Sequence, residues 1–379
     1  MAEIAQDRLP PGYPIQLSGP LAWTGSTLES ESERIYIRLS EDDVHHIDRA
    51  LQHFKGLAIA RGFASPETFP LPEELRQRLR GITKAVYAGL GFCVLRGLNP
   101  AVYTEEERVI LHAGLTSHAA NSRARNIDHI RDRTKDNPLN EKLKPPEQIV
   151  SMNFHTDIDV YDMLTMFTQS VPLEGGDQYL SSMTSIYNML AVEDPEVIKT
   201  LFEDWYWERS HRPAIGEEVI RSFYRPLIAL DDNGNIQVNY AGAFIGASAT
   251  YPLTAAAPGL KPHQEHAMAV IQDVARRVRI RLAPQPGDML FINNYAVLHA
   301  RDSWTDSPTD PTRRRYMMRL WLHDDQQGWV SAPALKRNMG DNFDLPPEKQ
   351  ALMTGSEWDK LPRSWRVKSV GVSGNDCHD

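Results

Sequence analysis

Cysteine is almost missing from this chain: there are two in 379 residues, Cys93 and Cys377, far apart and the second in a polar tail. That argues against a disulfide framework and for a reducing compartment. Positive charge is also short, with 41 Lys and Arg against 50 Asp and Glu and a net charge of −9. A nucleic-acid binder would usually carry a basic stripe, although a cationic pocket can still sit inside an acidic protein. Long apolar runs are absent too. The most apolar stretch, Ala85 to Leu95, is broken by Gly89 and Gly91 and is far too short to span a bilayer. The opening MAEIAQDRLPPGYP has no basic segment followed by an apolar one, so no secretory leader is expected. Asp376 to Asp379 match no retention or peroxisomal address. By elimination the cytoplasm is expected, with a small-molecule partner and neither nucleic acid nor membrane. No feature speaks to oligomeric state.

What is present has the composition of an ordinary globular protein, 41% hydrophobic and 24% charged, with no internal repeat. Residues 1–40 are rich in Pro, Gly and Ser and read as an irregular arm. A helix is predicted from Glu41 to about Phe54, capped by Ser40, with Val44, Ile47, Leu51 and Phe54 at helical spacing. A second starts at Pro72 and carries Leu75, Leu79, Ile82, Val86 and Leu90 on one face. Phe92 to Leu95 reads as a buried strand. After residue 150 short strands dominate: Met163 to Phe167, Gln237 to Tyr240 after an Asp232-Asn-Gly-Asn235 turn, Met289 to Ile292 and Tyr316 to Leu322. One more helix is predicted from about Gln264 to Arg279. Helices early and strands around a central region predict an α+β protein on a β-sandwich or jelly roll.

The informative segment is Asn153-Phe-His-Thr-Asp157. In an extended chain residues two apart face the same side, so His155 and Asp157 can grip one ion. His299 could supply a third ligand from a strand running from Leu290 through Leu298. Two imidazoles and one carboxylate leave three positions open, as iron(II) oxygenases need for a bidentate cosubstrate and dioxygen. His46-Ile-Asp48 has the same spacing but lies on the first predicted helix, where residues two apart diverge by about 200°. That pair reads as solvated surface. Arg315 and Arg319 are four apart on a predicted strand and share a face with Met317 and Trp321. Tyr316, Met318, Leu320 and Leu322 on the other face argue for burial on both sides. Buried arginines need an anion, and a 2-oxoglutarate carboxylate held by the guanidinium fork would be one.

These pieces resemble the TauD/TfdA-like (taurine dioxygenase-like, clavaminate synthase-like) iron(II)/2-oxoglutarate dioxygenases. Gly91-Phe-Cys-Val-Leu-Arg-Gly97 resembles the family's early strand, and His155-Thr-Asp157 its ligand pair. Pro172-Leu-Glu-Gly-Gly-Asp177 resembles its glycine turn. Asn294-Tyr-Ala-Val-Leu-His-Ala-Arg301 resembles the segment bearing the distal histidine, and Arg315-Tyr-Met-Met-Arg319 the cosubstrate arginines. The matches occur in family order over roughly residues 90 to 325.

The resemblance implies an α+β fold with a double-stranded β-helix (jelly-roll, cupin-like) core and flanking helices. The expected organisation is one catalytic domain over 1–379, with the core at 90–325, a helical insertion at about 185–280 and an extension over the core at 326–379. It implies that His155, Asp157 and His299 bind Fe(II), and that Arg315 pairs with the distal carboxylate of 2-oxoglutarate. Arg319 would serve the nearer carboxylate or an anionic group of the substrate. Gln178 stands where the family commonly has Thr, beside the cosubstrate. Ser151, four before the first ligand histidine, stands where taurine-oxidising relatives often have Asn, which argues against a sulfonate substrate. Ser151, Asn153, Arg319, Phe343 and Leu345 are the expected substrate-facing residues, the last two from a loop folding over the mouth.

The implied reaction oxidises an unactivated C–H bond of a small organic substrate, using O2 and releasing succinate and CO2; because Arg319 is available to meet an anion, an amino acid or other carboxylate is the substrate expected. Hydroxylation, desaturation and ring closure all remain open. Two other readings are a catalytically silent jelly-roll protein that binds metal or ligand, and a zinc hydrolase, for which His263-Gln-Glu-His266 lacks the required spacing. Asp159 and Asp162 are expected to cap turns or face solvent, and Trp205 and Trp207 to pack the insertion. His118, His211 and His323 are expected to be surface or core histidines.

Overall fold

The computed structural model describes residues 12–134, 145–211, 219–246, 253–339 and 343–360, together with Leu9 and Leu143. Cys377 and the last residues lie outside this set. Helix α1 (Glu41–Gly56) begins where Ser40 and Asp43 cap each other reciprocally, and it buries Ile47, Ala50, Leu51 and Phe54. Helix α2 (Glu73–Tyr87) follows Pro72 and buries Leu75, Leu79, Ile82 and Val86, the predicted stripe. Helix α3 (Glu105–Ser117) opens with a second reciprocal cap, between Thr104 and Glu107, and packs against α1.

The strands form two main sheets. The larger joins β1 (Tyr36–Arg38), β2 (Phe92–Arg96), β3 (Asp128–Arg131) and β5 (Met163–Ser170) with β12 (Met289–Asn293) and β14 (Tyr316–His323). Its order is β1-β2-β12-β5-β14, with β3 and the short strand Ser122–Arg123 both on the outer side of β14. The smaller runs β11 (Ile280–Leu282), β6 (Gln178–Ser182), β13 (Val297–Arg301), β4 (Met152–His155). Burial explains the larger sheet's composition. β5 is buried at seven of its eight positions, which requires cover on both faces. Helix α2 packs on β2 and β12. The smaller sheet is covered by α4 (Met183–Glu193) and α6 (Pro262–Val278), both of which pack on β6.

Two expectations are corrected here. The single strand from Leu290 through Leu298 is in fact two, β12 and β13, one in each sheet. The break is chemical. Asn293 Oδ1 accepts the Tyr295 N–H at 2.9 Å, and the Ala296 N–H reaches back to the Asn293 carbonyl at 3.1 Å, turning the chain from one sheet into the other. The insertion is also only partly helical. Between α5 (Pro195–Phe202) and α6 lie two hairpins, β7 (Trp205–His211) with β8 (Val219–Arg225), and β9 (Ile228–Leu230) with β10 (Ile236–Val238). The second closes on Gly234, whose φ of +79° suits glycine. Two facing sheets joined by such crossings make the double-stranded β-helix. Among the described residues no helix is long and apolar enough to cross a membrane.

Candidate metal centre

His155 ends β4 and His299 lies in the adjacent β13, and the two are register partners with ring centroids 4.2 Å apart. Asp157 follows in the loop after β4. One ligand atom from each of the three lies within 4.8 Å of the others, and all three residues are buried. His155 Nδ1 sits 2.7 Å from the Asn153 carbonyl, so Nδ1–H donates there and the lone pair is left on Nε2. That Nε2 is buried without a hydrogen-bond partner. Burial also holds the His155 pKa below its ordinary value, which keeps the ring neutral and able to coordinate.

Asp157 is held from several sides. Its Oδ2 accepts the Trp321 indole N–H at 2.7 Å and an Arg319 Nη1–H at 3.4 Å, while Oδ1 lies 3.7 Å from His299 Nε2. Its backbone is gripped by the Asn294 side chain, which accepts the Asp157 N–H and donates to the Asp157 carbonyl, both at 2.8 Å. The preceding Thr156 N–H donates to the Tyr240 carbonyl at 2.7 Å. A bare Nε2, a carboxylate with one oxygen turned to His299 and a second imidazole are a donor set that fits a divalent ion with open positions.

Arg315 and Arg319 both face this place, as does Trp321, and Met317 lies between the two arginines. Arg315 is 5% exposed, and burial pushes its pKa down to about 10. Its Nη2 rests against Met317 Sδ at 2.9 Å and its guanidinium lies 4.9 Å from the Trp304 ring. Its Nη1 is buried with no hydrogen-bond partner. A buried cation with an unmet donor calls for an anion. Gln178 Nε2 points at the same sulfur, 3.4 Å away. Arg319, which also lines the cavity, is ion-paired with Asp128 on β3 and with Asp157. Asp128 was missed by sequence reasoning, since it is 191 positions from its partner. A third arginine, Arg301, lines the same small cavity.

Of the expected substrate residues, Ser151 and Asn153 line a separate cleft of about 830 Å³ beside Tyr240, Met268 and Gln272. Met152 lines both cleft and metal cavity. Phe343 packs edge-on against Tyr161 with centroids 4.4 Å apart, and Leu345 lines a different groove with Tyr161. Neither lines the metal cavity. Asp159 and Asp162 are not solvated. Asp159 pairs with Arg225 at 2.6 Å, and Asp162 accepts from His323 Nδ1 and the Trp329 N–H, each at 2.7 Å. His323 is thereby partnered, and this hydrogen bond raises its pKa. His118 is buried against the Phe69 carbonyl, and the His211 side chain lies outside the described set. Trp205 and Trp207 are fully buried, on the hairpin strand β7. The decoy pair diverges: His46 bonds the Asp42 carbonyl, and Asp48 accepts from the Tyr103 hydroxyl. His263 and His266 each face a different carboxylate, Glu203 and Asp194.

Fold and site define a jelly-roll protein with a His-Asp-His metal cradle beside a buried arginine. Residues 33–321 match the taurine catabolism dioxygenase TauD, TfdA family, and the chain belongs to it. Members are non-haem iron(II)/2-oxoglutarate dioxygenases, so the zinc-hydrolase and catalytically silent readings are set aside. The chain is 33% identical over 355 residues to the taurine hydroxylase-like protein SAT17 of Stachybotrys chartarum (strain CBS 109288 / IBT 7711), covering 89% of each. It is 24% identical over 318 residues to FR-33289 synthase of Streptomyces rubellomurinus (strain ATCC 31215), covering 81% of this chain and 90% of that one. Among solved structures, asparagine oxygenase (AsnO) is similar with a TM-score of 0.55 at 14% identity, over 79% of this chain and 99% of that chain. The non-heme iron oxygenase OrfP is similar with a TM-score of 0.56 at 15% identity, over 76% and 94%.

Proposed function

We propose that His155, Asp157 and His299 hold iron(II), that Arg315 binds the distal carboxylate of 2-oxoglutarate, and that the protein oxidises a C–H bond of a small carboxylate such as an amino acid. The observation that carries this reading is the convergence of three ligand atoms beside a cavity that His155 and His299 line and whose wall contains a buried guanidinium with an unmet donor. When bound, iron and 2-oxoglutarate supply an oxidation in which substrate, O2 and keto acid become oxidised substrate, succinate and CO2.

The chain's own residues place and shield that chemistry. The Asn153 carbonyl fixes the His155 tautomer, and the Trp321 indole N–H engages Asp157 Oδ2, which would leave Oδ1 to hold the metal. Arg315 and Gln178 border the anion's position, with Met166 and Leu180 keeping the cavity apolar elsewhere. The substrate approaches from the wide cleft past Met152. Relatives in fold support the substrate class: OrfP has been solved with L-Arg, and asparagine oxygenase with 3-hydroxyasparagine and succinate.

The test is succinate formation from 2-oxoglutarate by the anaerobically iron-loaded protein in air, screened across amino acids and other small carboxylates. Stimulation by members of this set, with oxidised product, is expected. Iron-independent succinate formation would overturn the metal assignment, and stimulation confined to uncharged compounds would overturn the substrate class.

A further inference from the structure

Two residues beyond Asp157 the backbone adopts an unusual conformation. Asp159 has φ +55°, the left-handed region, and is 2% exposed. Its carboxylate meets Arg225 Nη1 at 2.6 Å. Arg225 is itself 0% exposed and comes from the insertion, at the end of β8. Its guanidinium lies 4.2 Å from the Trp207 ring and 4.8 Å from that of Phe223. With its amide turned to the satisfied orientation, Asn239 accepts from all three guanidinium nitrogens at 3.1 to 3.2 Å. Arg225 is therefore fixed before it touches Asp159.

The rest of the insertion grips the same loop. Tyr240, just past β10, takes the Thr156 N–H, and its own N–H donates to Thr156 Oγ1 at 3.0 Å. From the jelly roll, Asn294 holds Asp157 and the Tyr295 hydroxyl donates to the Val160 carbonyl at 3.1 Å. Residues 156–160 are thus clasped from both sides. Arg319 reaches Asp157 from the jelly roll, and Arg225 from the insertion makes an ion pair with Asp159, whose backbone is left-handed.

We infer that Arg225 is a positioning residue: through Asp159 it sets where the Asp157 carboxylate stands, and so controls how tightly the centre binds its metal. This rests on His155, Asp157 and His299 being the metal site. A pair that only stabilised the fold would be replaceable by a neutral pair at no cost to the metal, whereas a positioning pair would not.

The experiment is anaerobic calorimetric titration of metal-free protein with iron(II) alone, with thermal midpoints recorded in parallel and cobalt(II) absorption as a geometric readout. The variants are Arg225→Met, Asp159→Asn, the two combined, and His299→Ala. Asp159→Asn keeps shape and tolerance of the left-handed region, so it carries the test if Arg225→Met does not fold. Each single variant is expected to bind iron at least tenfold more weakly and to shift the cobalt bands. The combined variant, with no lone buried charge, is expected to recover much of the thermal midpoint while iron binding stays weak. Wild-type iron affinity in folded Asp159→Asn, or its return in the combined variant, overturns the inference. Undiminished iron binding by His299→Ala instead overturns the site on which it rests.

Discussion

As the proposed ligand, Asp157 would need two different faces, one for a cation and one for the protein, and Trp321 takes the second. The indole N–H takes Oδ2 at 2.7 Å, leaving Oδ1 on the side of His299. Trp321→Phe keeps the packing and deletes the donor. It is expected to weaken iron(II) binding by about 10- to 100-fold, read by anaerobic titration; unchanged affinity would mean the indole only fills space. Arg315 has the opposite problem, a charge with too little around it. Arg315→Gln is expected to raise the KM for 2-oxoglutarate by roughly 30-fold to several thousand-fold, the equivalent of about 2–5 kcal/mol for a truncated buried ion pair. Steady-state titration of the keto acid checks it, and a wild-type KM would point to Arg314 or Arg319. The proximity of His155 to Asp157 and of Arg315 to Arg319 was legible because each pair lies within four residues at the end of a strand, β4 or β14, where alternation suggests a shared face. Trp321 was placed on the right face, but not its bond to Asp157, 164 positions away. Asp128 and Asn294 were invisible for the same reason.

Among the elements, those whose own residues carry the signal read correctly. Ser40 begins α1, Pro72 precedes α2, and apolar runs became β2, β5 and β12. The insertion misled at its first hairpin, β7–β8, which is rich in large aromatic residues whose burial is decided by partners elsewhere; Asp159, expected to cap a turn or face solvent, is buried against β8. One element junction is pH-sensitive. His129 on β3 bonds the Tyr316 hydroxyl at 2.7 Å and the Met353 carbonyl at 2.9 Å, joining two strands to the C-terminal extension. Burial pushes its pKa down to about 4 from 6.5. The unfolded chain therefore takes up a proton near 6.5 that the folded one refuses until about 4. The stabilisation is complete above 6.5 and is lost as pH falls through that window, up to about 3 kcal/mol. His129→Gln should flatten the pH dependence of the urea midpoint there, and an unaltered slope would assign acid lability to other groups.

For the molecule as a whole, a metal held as proposed by β4, its following loop and β13 would be linked to folding. Iron(II) at 100 times its Kd should add about 2.7 kcal/mol of stability and raise the unfolding midpoint by a few degrees. Differential scanning fluorimetry under nitrogen should register this rise equally in His46→Ala and not at all in Asp157→Ala. Equal rises in all three would place the ion elsewhere. β14 carries a consequence of another kind. Arg319 stands beside Asp157, and Arg315 stands four residues away, roughly 13 Å of strand at the usual rise. On the proposed roles, that length of backbone is a gauge. A keto acid anchored at the ion must hand its far end to Arg315, and a rigid strand cannot lengthen to meet a longer one. 2-Oxoadipate, one methylene longer, is expected to support little turnover, measured as loss of keto acid in the presence of substrate. Turnover matching that of 2-oxoglutarate would show that the gauge does not operate; otherwise cosubstrate choice is written in strand pitch.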